Sequence, residues 1–286
     1  MSARHAHAYG PSALGDDARR FWELTLTLAR SDFKLRYFGS ALGYVWSLMR
    51  PLLFFGVLYV FFTEILQISK GVPHYGVYLL TCVVLWSYFA EVTGGSVPSL
   101  VNREGLLRKI RFPRMVIPLS VSLTAAFNLA LNMVVVVVFA LLNGVDPKLS
   151  WLELVPIVLG FAVMATGFGM LLSAAYPRFR DVAPIWEVLL QAWFYCSPIM
   201  YASTKYSSPT AIATFGTGLA HIAMINPAAM LFTQATHAVI GGPQLPSAPA
   251  VGGWLATVLA FTVILAAFAV GWWFFTREAP RVAENL

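Results

Sequence analysis

The residues with chemistry to offer are few, and they are set among long apolar runs. Glu91 and Glu187 fall well inside such runs, and Glu64 and Glu153 near an outer end. A charge at mid-membrane costs about 3 kcal/mol, so an ionisable group placed there is a functional candidate by default. For Glu91 and Glu187 the chemistry would be proton carriage, as in a proton-coupled transporter or channel. The structural alternatives are interfacial placement for Glu64 and Glu153, and a hydrogen bond between Glu187 and Gln191, one turn on. Asn128 and Asn132, four apart on one helical face, fit both the lining of a path and bonding between helices. Cys82 and Cys196 lie in apolar runs without metal-ligand spacing, and His5 and His7 belong to an N-terminal tail. No G-x-x-x-x-G-K-[ST] phosphate loop, G-x-S-x-G, H-E-x-x-H, Cys/His cluster or D-x-D pair occurs. The expectation is a non-enzyme with no metal or cofactor of its own.

The densest charge is the island Ser99–Pro118, with Arg103, Arg108, Lys109, Arg111 and Arg114 against a single acid, Glu104. Apolar runs flank it on both sides. The cost of burying so many cations in hydrocarbon puts the island in water. Over all 286 residues, 58% are hydrophobic and 11% charged, where a soluble domain carries about 25%. This is the composition of a multi-span membrane protein. The net charge of +6 is then explained by basic residues gathering on one side of a membrane, not by nucleic-acid binding.

The elements that position these groups are set by hydropathy. Residues 1–19 read as a disordered tail, with Asp16 and Asp17 as N-caps for the first helix. In that helix, 20–37, Trp22, Leu26, Ala29, Phe33 and Tyr37 share one face while Glu23, Arg30 and Lys34 lie off it, the pattern of a helix lying in the membrane interface. A span needs about 20 mostly apolar residues. Six segments qualify, at about 42–65, 75–97, 115–142, 152–175, 182–202 and 254–275. The first carries Arg50-Pro51; the fifth carries Pro184 and Pro198 and is expected to be kinked or broken. Of the 19 Lys and Arg residues, all but Lys70, Lys148 and Lys205 fall before Pro51, in the island, after the fourth span or in the tail 276–286. The positive-inside rule places those segments and both termini in the cytoplasm. Between the fifth and sixth spans, 211–223 and 228–240 are apolar but too short to cross and return. They are expected as short helices in or dipping into the outer leaflet. The fold expected is all-α integral membrane, a single transmembrane domain over 20–275 with no internal repeat. Aromatics crowd the first and fifth spans, and Phe54, Phe55, Tyr59, Phe62, Trp193, Tyr195 and Tyr201 could line a path or form interfacial belts.

Several stretches together resemble one family. Arg36-Tyr37-Phe38-Gly39-Ser40-Ala41-Leu42-Gly43-Tyr44-Val45-Trp46 with Pro51 is similar to the start of the first span in ABC-type polysaccharide-exporter permeases. The island is similar to their first cytoplasmic loop through Asn102, Leu106-Leu107-Arg108-Lys109, Phe112-Pro113-Arg114 and Pro118. Arg180-Asp181, Ser197-Pro198-Ile199 and Asn226-Pro227 with Gly241-Gly242 beyond it extend the resemblance, which runs from about Phe21 to Phe275.

The resemblance implies a permease of the bacterial cytoplasmic (inner) membrane that exports O-antigen, capsule or teichoic-acid polymers on a polyprenyl-pyrophosphate carrier. It implies a homodimer in membrane lipid, with a channel at its interface, and two copies of a separate ATPase holding ATP and Mg. It implies that the segment 99–114 is a coupling segment docking on that ATPase, with Asn102, Arg103, Glu104, Leu107, Arg108 and Lys109 as its contact residues. The excess of Arg over Lys points toward a GC-rich source and, by analogy, an actinobacterial galactan exporter. Arg36 and Arg50 stand where they could meet the carrier pyrophosphate; snorkelling to the interface is the simpler account of both. A membrane glycosyl- or phosphotransferase is the third class, lacking a visible metal or nucleotide site.

Overall fold

The segment Tyr75–Ser96 has no polar face, and a helix apolar all round belongs in an interior. In the computed structural model, which describes residues 18–37, 43, 45–67, 71–105, 112–209 and 218–285, it is the helix on which most others pack. The described helices are α1 (Ala18–Tyr37), α2 (Val45–Val60), α3 (Tyr75–Ser96), α4 (Ser99–Asn102), α5 (Val116–Leu142), α6 (Leu154–Ala175), α7 (Val182–Cys196), α8 (Leu219–Ile225), α9 (Pro227–Val239) and α10 (Ala248–Asn285). A π turn at Phe61–Ile65 prolongs α2, and 3-10 turns occupy Leu149–Glu153 and Ser203–Ser207. Among the described residues, five stretches are long and apolar enough to cross a membrane: Val45–Ile65, Tyr75–Ser96, Val116–Leu142, Leu149–Ala175 and Ala248–Ala279. The chain is a multi-pass, all-α membrane protein.

Within α3 the hydroxyls are tied back to its own backbone. Thr81, Ser87 and Thr93 donate to the carbonyls of Val77, Val83 and Phe89 at 2.7, 2.7 and 2.8 Å, which lets them sit in an apolar environment. The closest helix pair is α6 with α10. A Cβ on Gly271 would stand 2.1 Å from the Gly167 carbonyl oxygen, so the two backbones touch. Small residues at such a crossing are how helices pack when lipid removes the hydrophobic drive between them.

The structure corrects two of the sequence expectations. The first concerns the buried face of α1. Phe21, Thr25 and Ala29 are buried and Trp22 is 55% exposed, so the face is turned by about one residue from the one built on Trp22. The reason is tertiary: Phe21 packs with Leu100, Met115 and Phe275 at the end of the bundle that carries the island, and Phe33 meets Phe127 of α5 edge-on at 5.6 Å. The second concerns the segment 182–202: the break expected from its prolines is there, but α7 ends at Cys196 after 15 residues and is shorter than the span expected. At 1.5 Å per residue that helix is about 22 Å long, short of the roughly 30 Å hydrocarbon core. Ser197 (φ −97°, ψ 149°) leaves the helix in an extended conformation, and the chain then turns at Pro198-Ile199, the Ile199 N–H donating to the Ser197 carbonyl at 2.8 Å. Beyond the span expected at 254–275, α10 continues as helix through the basic tail to Asn285.

The short helices between α7 and α10 are held by their ends. The C-terminal carbonyls of α9 receive three donors from the segment before α6: Lys148 Nζ to Ile240 at 2.9 Å, Ser150 Oγ to Ala238 at 2.7 Å and Trp151 Nε1 to Val239 at 3.0 Å. These satisfy groups that a helix end leaves unpaired. A bend at Gly253 (φ 78°) then turns the chain into the membrane-crossing part of α10. The run 211–217 lies outside the described residues.

Candidate functional site

A cavity of about 810 Å³ opens where the C-terminal turn of α1, the first half of α2, the second half of α3 and the middle of α5 meet. Each element brings its polar group for a local reason. Arg36 sits in the last turn of α1, where a cation is favoured by the helix dipole. Arg50 precedes Pro51, which is buried inside α2 and lines the same cavity. Glu91 lies in the last two turns of α3. Asn128 and Asn132 are one turn apart on α5, so both face the gap.

The polar groups form a chain across the helices. Arg36 Nη1 donates to Glu91 Oε1, and Asn128 Nδ2 donates to the same oxygen at 2.8 Å. Asn132 Nδ2 donates to the Asn128 carbonyl at 2.8 Å, while Asn132 Oδ1 is buried with no partner. Arg50 is exposed at the cavity's rim, as is Trp46 on the preceding turn of α2. Both asparagines line the cavity, but only Asn128 bonds between helices, since the Asn132 amide donates within α5. By contrast, Glu187 is exposed on α7, and no hydrogen bond joins it to Gln191 among the described residues.

The aromatics divide. Phe54, Tyr59 and Tyr195 are 43%, 37% and 65% exposed. Phe55 packs edge-on against Phe139, and Phe62 is partly buried against the core. Trp193 is turned inward among Trp86, Phe89 and Phe168, with its indole N–H on Asn226 Oδ1 at 2.9 Å. Tyr201 shares a hydroxyl contact of 3.2 Å with Tyr206. The break after α7 is strapped to α3 by phenols: Tyr75 donates to the Met200 carbonyl at 2.8 Å, and the Tyr78 hydroxyl lies 2.5 and 2.7 Å from the Pro198 and Tyr201 carbonyls.

In the island, α4 is a single turn and the chain is helical again at Glu104. Asn102 is exposed. Arg103 is drawn inward, pairing with Asp32 of α1 and donating to Ser120 Oγ of α5 at 2.9 Å. Leu107, Arg108 and Lys109 lie outside the described residues. Sequence reasoning missed Asp32, the Arg36–Glu91 pair and the role of Asn226. The partners of these pairs are far apart in the chain, and only Asn226-Pro227, an N-cap with proline directly after it, carries a local signal.

The fold is thus a bundle of apolar helices enclosing a cavity lined in part by polar side chains. The family described as "ABC-2 type transporter" matches residues 23–217, and the chain belongs to that family. It is similar to the O-antigen export system permease protein RfbA of Klebsiella pneumoniae, 33% identical over 183 residues, which cover 64% of this chain and 70% of that one. It is also similar to the protein of that name from Myxococcus xanthus, 30% identical over 180 residues, 62% of this chain and 68% of that one. Permeases of this type are non-catalytic transport components without an ATPase site, and so is this chain.

Proposed function

We propose that the chain is the membrane subunit of an ATP-driven exporter of lipid-linked polysaccharide. The observation that carries the reading is the similarity to O-antigen export permeases over 64% of the chain, together with the ABC-2 family match over 23–217, which includes α2, the island and the cavity. Two copies of the chain form the path, with a separate ATPase subunit, carrying ATP and Mg, docked on each. The pairing surface fits the exposed apolar sides of α2 and α7, where Val57 and Val188 are 69% and 66% exposed, and Phe54, Tyr59 and Tyr195 would then border the path. Both termini and the island are cytoplasmic in this reading, as the distribution of Lys and Arg requires. The carrier is a polyprenyl pyrophosphate whose anionic linkage reaches Arg50 at the cavity rim. The polymer is an O-antigen, a teichoic acid or a galactan.

The island is the handle for the motor. Reversing charge at Arg108 and Lys109 to Glu should abolish surface polysaccharide and copurification of the ATPase while leaving insertion in the membrane intact. Survival of both export and ATPase pairing would overturn the coupling role.

A further inference from the structure

The cavity beside α2 has a wall and a rim of different chemistry. The wall offers acceptors. Glu91 is one, and its attraction for Arg36 leaves little net positive charge there. The other is Asn132 Oδ1, on a residue only 6% exposed and without a partner. Its amide cannot be turned over, because Nδ2 is held by the Asn128 carbonyl and a flip would set oxygen against oxygen. Buried acceptors are almost always matched, so an occupant of this wall should bring a donor. A phosphate group brings none and would meet the Glu91 carboxylate. The rim is different: Arg50 is exposed there, and Trp46, one turn away on the same face of α2, is 53% exposed.

A sugar ring meets both demands. Its hydroxyls donate to acceptors, and its C–H face lies on an indole. At about 810 Å³ the cavity is within the size of small-molecule sites, roughly 300–1,000 Å³. We propose that Glu91 and Asn132 form a hydroxyl-reading subsite for the sugar nearest an anionic linkage, with the linkage at Arg50 and the ring against Trp46. This rests on the lipid-linked glycan reading above and deepens it: the membrane subunit itself distinguishes a glycosylated carrier from a bare one.

The test uses the full chain in lipid nanodiscs and two probes, farnesyl diphosphate and its glucosyl ester. The ester should bind about tenfold more tightly. Asn132→Leu should reduce that ratio to about twofold or less while farnesyl diphosphate binds as before. Ser87→Phe, which fills the cavity from a partly exposed position on α3, should abolish the preference without touching the buried asparagines. Arg50→Gln should weaken both probes alike. Equal binding of the two probes, binding of neither, or an undiminished ratio in either Asn132→Leu or Ser87→Phe overturns the subsite; water alone then satisfies Asn132. Failure of the export reading itself shows separately, as unchanged surface polysaccharide in cells lacking the chain.

Discussion

Trp193 and Asn226 are joined by an indole N–H···Oδ1 hydrogen bond of 2.9 Å, and the same oxygen accepts the Ala228 N–H at 3.1 Å. One side chain therefore caps α9 and anchors the end of α7, while its Nδ2 reaches Ser197 Oγ at 3.4 Å, where α7 gives way to a turn. The broken helix is positioned by its neighbours because its own hydrogen-bond ladder has stopped.

Asn226→Ala removes the cap and leaves the Trp193 N–H unpaired, a loss of about 1–3 kcal/mol. Asn226→Asp keeps the acceptor and should retain most of it. Thermal unfolding in detergent measures both. Equal loss in the two variants would mean that the amide nitrogen, not the oxygen, is the important partner.

Tyr78→Phe strips the phenol from the carbonyls of Pro198 and Tyr201, which a span in lipid cannot leave to water. Amide hydrogen exchange over Ile199–Ala202 should quicken while exchange in α5 and α6 stays unchanged. The expected cost is about 1–3 kcal/mol.

Gly271→Ala should prevent recovery of folded, monodisperse protein, because the new methyl would stand 2.1 Å from backbone oxygen that has no room to move. Gly56→Ala is the control: nothing lies within 4 Å of a Cβ there, and alanine gains about 1 kcal/mol of helix preference. Size-exclusion profiles distinguish them.

Arg103 and Asp32 pair between the island and α1, with side chains 18% and 32% exposed. Arg103→Ala and Asp32→Ala should each destabilise the protein, and the double variant should cost less than their sum by about 1 kcal/mol. The coupling is set below that of a fully buried pair because Asp32 keeps contact with solvent. Additivity within about 0.3 kcal/mol would show that the pair does not couple the two elements.

Much of the architecture was legible because bilayer physics is one-dimensional. Apolar length predicts α3, α5 and α6 to within a few residues, and Pro198 marks the break after α7. The candidate site was only half legible. Arg36, Arg50, Asn128 and Asn132 stand out as polar residues in or beside apolar runs. That Arg36 meets Glu91, 55 residues away, is carried by no local pattern.

By itself, the amino-acid sequence determined that this chain lives in a membrane, where its long apolar helices lie along the chain, and that no nucleotide loop of the G-x-x-x-x-G-K-[ST] type occurs in it. Those conclusions come from transfer energies and motifs that act residue by residue. Tertiary structure decided which face of α1 is buried, that Trp193 turns inward rather than toward a path, that Arg103 is tied to Asp32, and that the polar residues of four helices line one cavity. Each of these depends on how helices are rotated against one another, and that rotation is set by contacts such as Phe21 on Met115 and Gly167 on Gly271, which no single helix encodes.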